Sequence, residues 1–167
     1  MFGRHDGGTR YQMRQKLASI GDDSWIEDAN GNKAYKVNGK AMRVRDTFLL
    51  EDASGAEVAK IQERKLHVRD TMAIERDGKT IATVHKRLVG LRDHLKVDLV
   101  DGAEWKVHGN LVDHEYEIEA HRDKIAEISK KWFRVRDTYG VEIAPGQDDA
   151  LILAVTVCID QMSHDAG

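Results

Sequence analysis

The 167-residue sequence is poor in several residue types, with one cysteine, one proline and 6% aromatic residues. Cys158 alone cannot form an intramolecular disulfide or supply a zinc site of paired cysteines, so a reducing compartment is expected. Positive charge is not in excess either: 26 Lys and Arg face 29 Asp and Glu, a formal charge of -3. That balance excludes the general polyanion-binding surface of a nucleic-acid protein, while a local basic patch is compatible with it. No apolar run reaches the ~18 residues of a spanning helix, and residues 1–16 lack the apolar stretch of a signal peptide. The expectation is a soluble, cytoplasmic chain with one domain over residues 10–162 and flexible ends at 1–9 and 163–167.

Chemical signatures are missing too. There is no Gly-x-Ser-x-Gly elbow, phosphate loop or glycine-rich dinucleotide fingerprint. Cys158 lies among Val155, Val157 and Ile159, where it reads as a packing residue. The acidic pairs Asp22-Asp23, Glu27-Asp28 and Asp148-Asp149 lack the alternating oxygen ligands of a calcium loop. His108 and His114 match no zinc spacing and read as surface histidines. The sequence therefore predicts no catalytic, cofactor-binding or metal-ligating residue and no enzyme.

What the chain does have is a repeat. Val44-Arg45-Asp46-Thr47 returns as Val68-Arg69-Asp70-Thr71, Leu91-Arg92-Asp93-His94 and Val135-Arg136-Asp137-Thr138. Val112-Asp113-His114-Glu115 is a degenerate copy, and Asp23 fills the slot one period before the first. With Asp23, Asp46, Asp70, Asp93, His114 and Asp137 as equivalents, the intervals are 23, 24, 23, 21 and 23, which implies six units. After each Arg-Asp step comes an alternating run such as Phe48 with Leu50 or Met72 with Ile74, the period of a half-buried strand. A turn marked by Gly31, Gly55, Gly78 or Gly102 follows, and then a second run, as in Val58-Ala59-Lys60-Ile61, Ile81-Ala82-Thr83-Val84 and Ile125-Ala126-Glu127-Ile128. The alanines predict close approach to something on the inner face. Each unit is thus a β-hairpin, and a strand within 11–19 would complete about twelve antiparallel strands.

The C-terminal segment breaks this pattern. From Ala150 to Ile159 it is apolar except for Thr156, Pro145-Gly146 ends the preceding strand, and Asp148 or Asp149 is placed as an N-cap. A helix over about 148–162 is predicted, and because it is apolar all round it must be enclosed, with Leu151, Val155 and Cys158 as core residues. A barrel of twelve strands is too wide for its own side chains to fill, so the fold class predicted is a closed antiparallel barrel of six hairpin repeats around a buried C-terminal helix.

The Arg-Asp-Thr repeat, the stretch Trp132-Phe133-Arg134-Val135-Arg136-Asp137-Thr138-Tyr139-Gly140-Val141 and the final helix resemble bacterial or archaeal members of the LURP-one-related family, a group sharing the tubby-like barrel with tubby proteins and phospholipid scramblases. The resemblance covers about 10–162 and implies the same barrel around a central helix. It implies no catalytic residue set. Tubby relatives bind phosphoinositides through basic surfaces, and scramblases are tied to membranes.

Two groups of charged residues compete for a role. The pairs Arg45-Asp46, Arg69-Asp70, Arg92-Asp93 and Arg136-Asp137 read as structural, since neighbours on a strand face opposite ways and a feature of every unit is what a fold requirement looks like. Strand alternation across 130–136 would place Lys130, Trp132, Arg134 and Arg136 on one face, a candidate surface for anionic lipid or another anion. The functional expectation is a non-catalytic binding or tethering module for an anionic membrane surface or a protein partner. The alternative is a small-molecule carrier or enzyme using a cavity in the barrel.

Overall fold

The computed structural model describes residues 8–14, 23–39, 47–66, 69–89, 92–133 and 136–165; at 64–66, 69–70, 87–89, 92–94 and 164–165 it describes the backbone alone. Twelve strands are present: β1 (Thr9–Arg14), β2 (Asp23–Asp28), β3 (Lys33–Asn38), β4 (Thr47–Asp52), β5 (Glu57–Leu66), β6 (Arg69–Arg76), β7 (Lys79–Val89), β8 (Arg92–Leu99), β9 (Glu104–Asn110), β10 (Glu115–Ala120), β11 (Asp123–Ser129) and β12 (Thr138–Ile143). Each pairs antiparallel with its neighbours in sequence, and β1 pairs with β12 to close the barrel. The fold is the one the repeat predicts. The completing strand begins earlier than expected, at Thr9, and residues 15–19 lie outside the described residues.

Up-and-down order puts the five hairpin turns and the β12–α1 link at one rim, here the turn rim, and the links between units at the other, the connection rim. Three hairpins share a turn in which Gly31, Gly55 and Gly102 take positive φ, their amides donating to the carbonyls of Asp28, Asp52 and Leu99. Asp28 and Asp52 stiffen two of these turns, each carboxylate accepting backbone amides two and four residues on. The β10–β11 turn makes the reversal with His121 (φ 50) and Arg122 (φ 71), without glycine.

The recurring apolar-Ala doublet has a geometric cause. In four hairpins the register slips by one residue near the turn, leaving Ala34, Val58, Ile81 and Ile125 as bulges. Bulge carbonyls bond laterally: Val58 accepts from Arg76 Nε, Ile81 from the Val100 amide and Ile125 from the Ala144 amide. The alanine that follows, at Ala59, Ala82 or Ala126, turns inward with almost no exposure.

Helix α1 (Asp149–Asp165) occupies the interior, and residues 151–160 are all buried. It comes closest to β5, β6, β7 and β12, where Ala59 and Ala82 leave room for it. Each fully buried Leu, Ile or Val contributes about 1.5–3 kcal/mol. At the turn rim Asp148 is the N-cap, its Oδ1 accepting the Leu151 amide at 3.1 Å. Arg76 grips the same carboxylate with both guanidinium nitrogens at 2.8 and 3.2 Å, and Tyr11 Oη donates to Asp149 at 2.6 Å. Burial raises the Asp148 carboxyl, yet the Arg76 and Leu151 bonds outweigh it and hold the group below the usual carboxylate range. The helix continues to Asp165 instead of stopping at Met162, so the expected flexible segment 163–167 contains helical backbone at 163–165.

A basic rim at the barrel seam

The closure of the barrel assembles the candidate site. In the β1–β12 register Arg14 lies opposite Thr138, which sets the last residue of β1 beside the turn holding Arg136 and Asp137. The β11 end delivers Lys130 and Lys131 to the same place. Glu115 fixes that delivery: its Oε1 accepts the Lys130 amide at 3.0 Å and Ser129 Oγ at 3.1 Å, and Ser129 Oγ in turn accepts the Lys131 amide at 3.1 Å. Arg14, Lys131 and Arg136 are exposed, and among the described residues none of the three has an ion-pair partner. Arg14 was not singled out by the sequence, because only the register of closure brings it to the cluster.

The expected cationic face is corrected in detail. Residues 130–133 form a bend and turn, not a strand, so alternation does not apply to them. Lys131, expected to point away from the face, is exposed, and Lys130 is half-buried. Trp132 is not presented outward. It folds back with Phe133 over Gly140 on the outside of β12, and the Arg10 guanidinium stacks 4.5 Å from its ring centre while holding Glu142 at 2.6 Å. Arg134 lies outside the described residues.

Other parts of the surface differ from this rim. On the barrel wall Lys36, Lys96 and Lys124 each bridge two carboxylates, pairing with Asp23 and Glu51, Asp98 and Glu104, and Glu117 and Glu127. At the turn rim Asp101 and Asp148 lie in two of the links, Asp148 paired with Arg76, while Lys33, Lys79 and Arg122 lie at or beside three others. Around the connection rim the ends of β5 to β8 place the backbone of Arg64, Lys65, Arg69, Lys86, Arg87 and Arg92 against Glu63, Asp70 and Asp93.

Of the repeated Arg-Asp pairs, Arg69-Asp70 and Arg92-Asp93 open β6 and β8, whereas Arg136-Asp137 forms a turn ahead of β12; Arg45 and Asp46 lie outside the described residues. Asp137 (φ 60) and its equivalent His114 (φ 53) both take left-handed backbone, a conformation Asp, Asn and His adopt more readily than most. Leu151, Val155 and Cys158 are buried in the helix, and burial pushes the Cys158 thiol far up.

His114 is not a surface histidine. It is 4% exposed, stacked on Tyr139 at 4.2 Å between ring centres, with Nε2 3.5 Å from Asp160 Oδ1 inside the barrel. The left-handed turn tucks the side chain under the rim. His108 is exposed and faces Glu119 at 3.4 Å. Among the described residues no three His, Cys, Asp or Glu side chains converge as metal ligands, and no helix is long and apolar enough to cross a membrane.

Comparison with known proteins agrees with this architecture. A solved Arabidopsis thaliana protein, AT5G01750, has a TM-score of 0.72 at 21% identity, over 93% of this chain and 91% of its own, and shares the tubby-like barrel. The Bacillus subtilis protein YxjI, itself uncharacterised, is 24% identical over 88 residues, so the match spans 53% of this chain and about half (52%) of that relative. Residues 9–160, from the first strand to the buried Asp160, match the LURP-one-related family, and the chain belongs to it.

Proposed function

We propose that this protein is a non-catalytic docking module whose basic seam rim associates with an anionic lipid surface. The observation that carries the reading is the gathering of exposed Arg14, Lys131 and Arg136, with Lys130, at the rim where β1 meets β12, with exposed Asp137 in the same turn. The interior offers little competing surface, because the helix fills it. A depression of about 170 Å³ at the turn rim, lined by Glu57, Lys60, Glu75 and Arg76, is smaller than the roughly 300–1,000 Å³ of ordinary small-molecule sites. A protein partner is the lesser reading, since binding hot spots are built on aromatic anchors and the rim's Trp132 is folded against the wall. Val112, exposed on the β9–β10 link of the same rim, adds a small apolar contact.

Three cations near an anionic bilayer contribute about 1 kcal/mol each, which amounts to roughly a hundredfold in partitioning at low salt. Vesicles containing phosphatidylserine should retain the protein at low salt and release it at high salt, while neutral vesicles do not bind it. Arg14→Glu with Lys131→Glu and Arg136→Glu should abolish retention with an unchanged melting curve. Equal recovery from both vesicle types would refute the lipid reading and leave an acidic protein surface as the partner. A carrier or enzyme would have to use the polar cluster around His114 and Asp160.

A further inference from the structure

Besides Ser24 on β2 and Tyr11, whose hydroxyl is held by Asp149 at the turn rim, polar side chains gather inside the barrel in one sector near the connection rim. The repeat makes this legible. The first inward position of successive units is Phe48, Met72 and Leu95 on β4, β6 and β8, but Tyr116 on β10 and Tyr139 on β12. Equivalent positions sit at the same height in the barrel, so the two phenols stand level with each other, one strand apart across β11, both facing the C-terminal half of α1. That half carries the polar residues of the buried stretch, Thr156 and Asp160, and His114 stacks on Tyr139 from the rim. Five polar side chains from the β9–β10 link, β10, β12 and α1 thus meet in the interior.

Thr156 Oγ1 donates to the Ile152 carbonyl at 2.9 Å, and His114 reaches Asp160. The two tyrosine hydroxyls are fully buried and have no hydrogen-bond partner within the distance and angle of a good bond among the described residues; the Tyr116 hydroxyl faces Thr156 more loosely. Burial, then the Asp160 charge, raises both phenols, so they stay protonated and act as donors. A buried donor without an acceptor disfavours folding by about tenfold to a hundredfold, and the same positions in three other units are filled by apolar side chains without that cost. Two donors at one level beside a carboxylate are what a bridging water satisfies, since it needs two to four polar partners.

We propose that ordered water occupies this sector and bridges the hydroxyls of Tyr116 and Tyr139 to Asp160, forming an internal hydrated site that ties the end of the helix to the barrel wall. The site is independent of docking at the outer rim. A crystal structure at about 1.5 Å or better tests it on the native chain, with density expected about 2.6–3.2 Å from each Oη. Tyr139→Phe should lose that density and shift the folding equilibrium about fivefold toward the unfolded chain, with Tyr116→Phe acting likewise. Empty density together with phenylalanine variants as stable as the native protein would overturn the proposal. Density for a larger retained molecule would overturn it as well, and would assign the sector to small-molecule binding.

Discussion

Replacing Gly140 with alanine puts the strap over the barrel seam to a test in which two effects oppose each other. Gly140 is a strand residue between Gln12 and Ser129, and its φ is not in the left-handed region. On backbone grounds alone, Gly140→Ala should stabilise by about 0.4–1 kcal/mol, because the unfolded chain loses freedom. The added Cβ, however, would lie 2.6 Å from Trp132 Cε3 and 2.8 Å from Phe133 Cε2. Real Cβ atoms do not approach that closely, so both rings must move. Trp132 also carries the Arg10 guanidinium 4.5 Å from its ring centre, itself fixed by Glu142, so displacement also forfeits a cation–π contact of about 0.5–1 kcal/mol. Overpacking of this kind costs typically about 1–3 kcal/mol. We expect a net destabilisation of about 1–3 kcal/mol, a fall in Tm of roughly 3–8 °C at this chain length, and a red shift of the Trp132 emission. In a double-mutant cycle, Trp132→Ala should recover part of the loss caused by Gly140→Ala. A Gly140→Ala protein that melts at or above the native temperature with unchanged near-UV circular dichroism would refute the packed strap.

Two further outcomes are expected. Arg122 (φ 71) closes the β10–β11 turn in left-handed backbone, so Arg122→Gly should raise stability by about 1 kcal/mol, read as a higher denaturant midpoint at unchanged slope. The folded pKa of Asp148 is depressed, so the stability it confers is present above the unfolded carboxylate value near 4 and is lost as pH falls through the folded value. Asp148→Asn keeps a capping side chain without the charge, so its stability deficit relative to the native protein should shrink on acidification from pH 7 to pH 3. A deficit independent of pH would mean that the Arg76 bond contributes nothing through charge.

The fold was legible because one period governs it. The Arg-Asp steps, the turn glycines and the apolar doublets all recur at about 23 residues, and each reports the same hairpin from a different physical requirement. Ala150 to Ile159 could be assigned to the interior because a helix with no polar face has no other stable position. Where one period was not enough, the reading failed for local reasons. The doublets Val58-Ala59, Ile81-Ala82 and Ile125-Ala126 looked like alternation, but they mark bulges, where two consecutive residues oppose a single residue of the neighbouring strand. The turn at His121-Arg122 carries no glycine and gave no signal at all.

The candidate site was less legible because its residues are brought together by closure and by folding back, neither of which leaves a periodic trace. Arg14 and Arg136 are far apart in sequence, and only the β1–β12 register sets them side by side. Trp132 sits in a run of cations that alternation would read as one exposed stripe, yet a glycine eight residues later provides the bare patch of wall that receives its ring. The aromatic residue expected on the exposed cationic face thus packs over the seam, while Lys131 and Arg136 remain exposed. Any association at this rim therefore rests on charge and should follow ionic strength, with insertion of Trp132 contributing little: Trp132→Phe should leave vesicle retention near the native level and lower thermal stability, whereas Lys131→Glu with Arg136→Glu should do the reverse. Loss of retention in the Trp132→Phe protein at a temperature where it is fully folded would show that the strap opens on binding, and would overturn this division of roles.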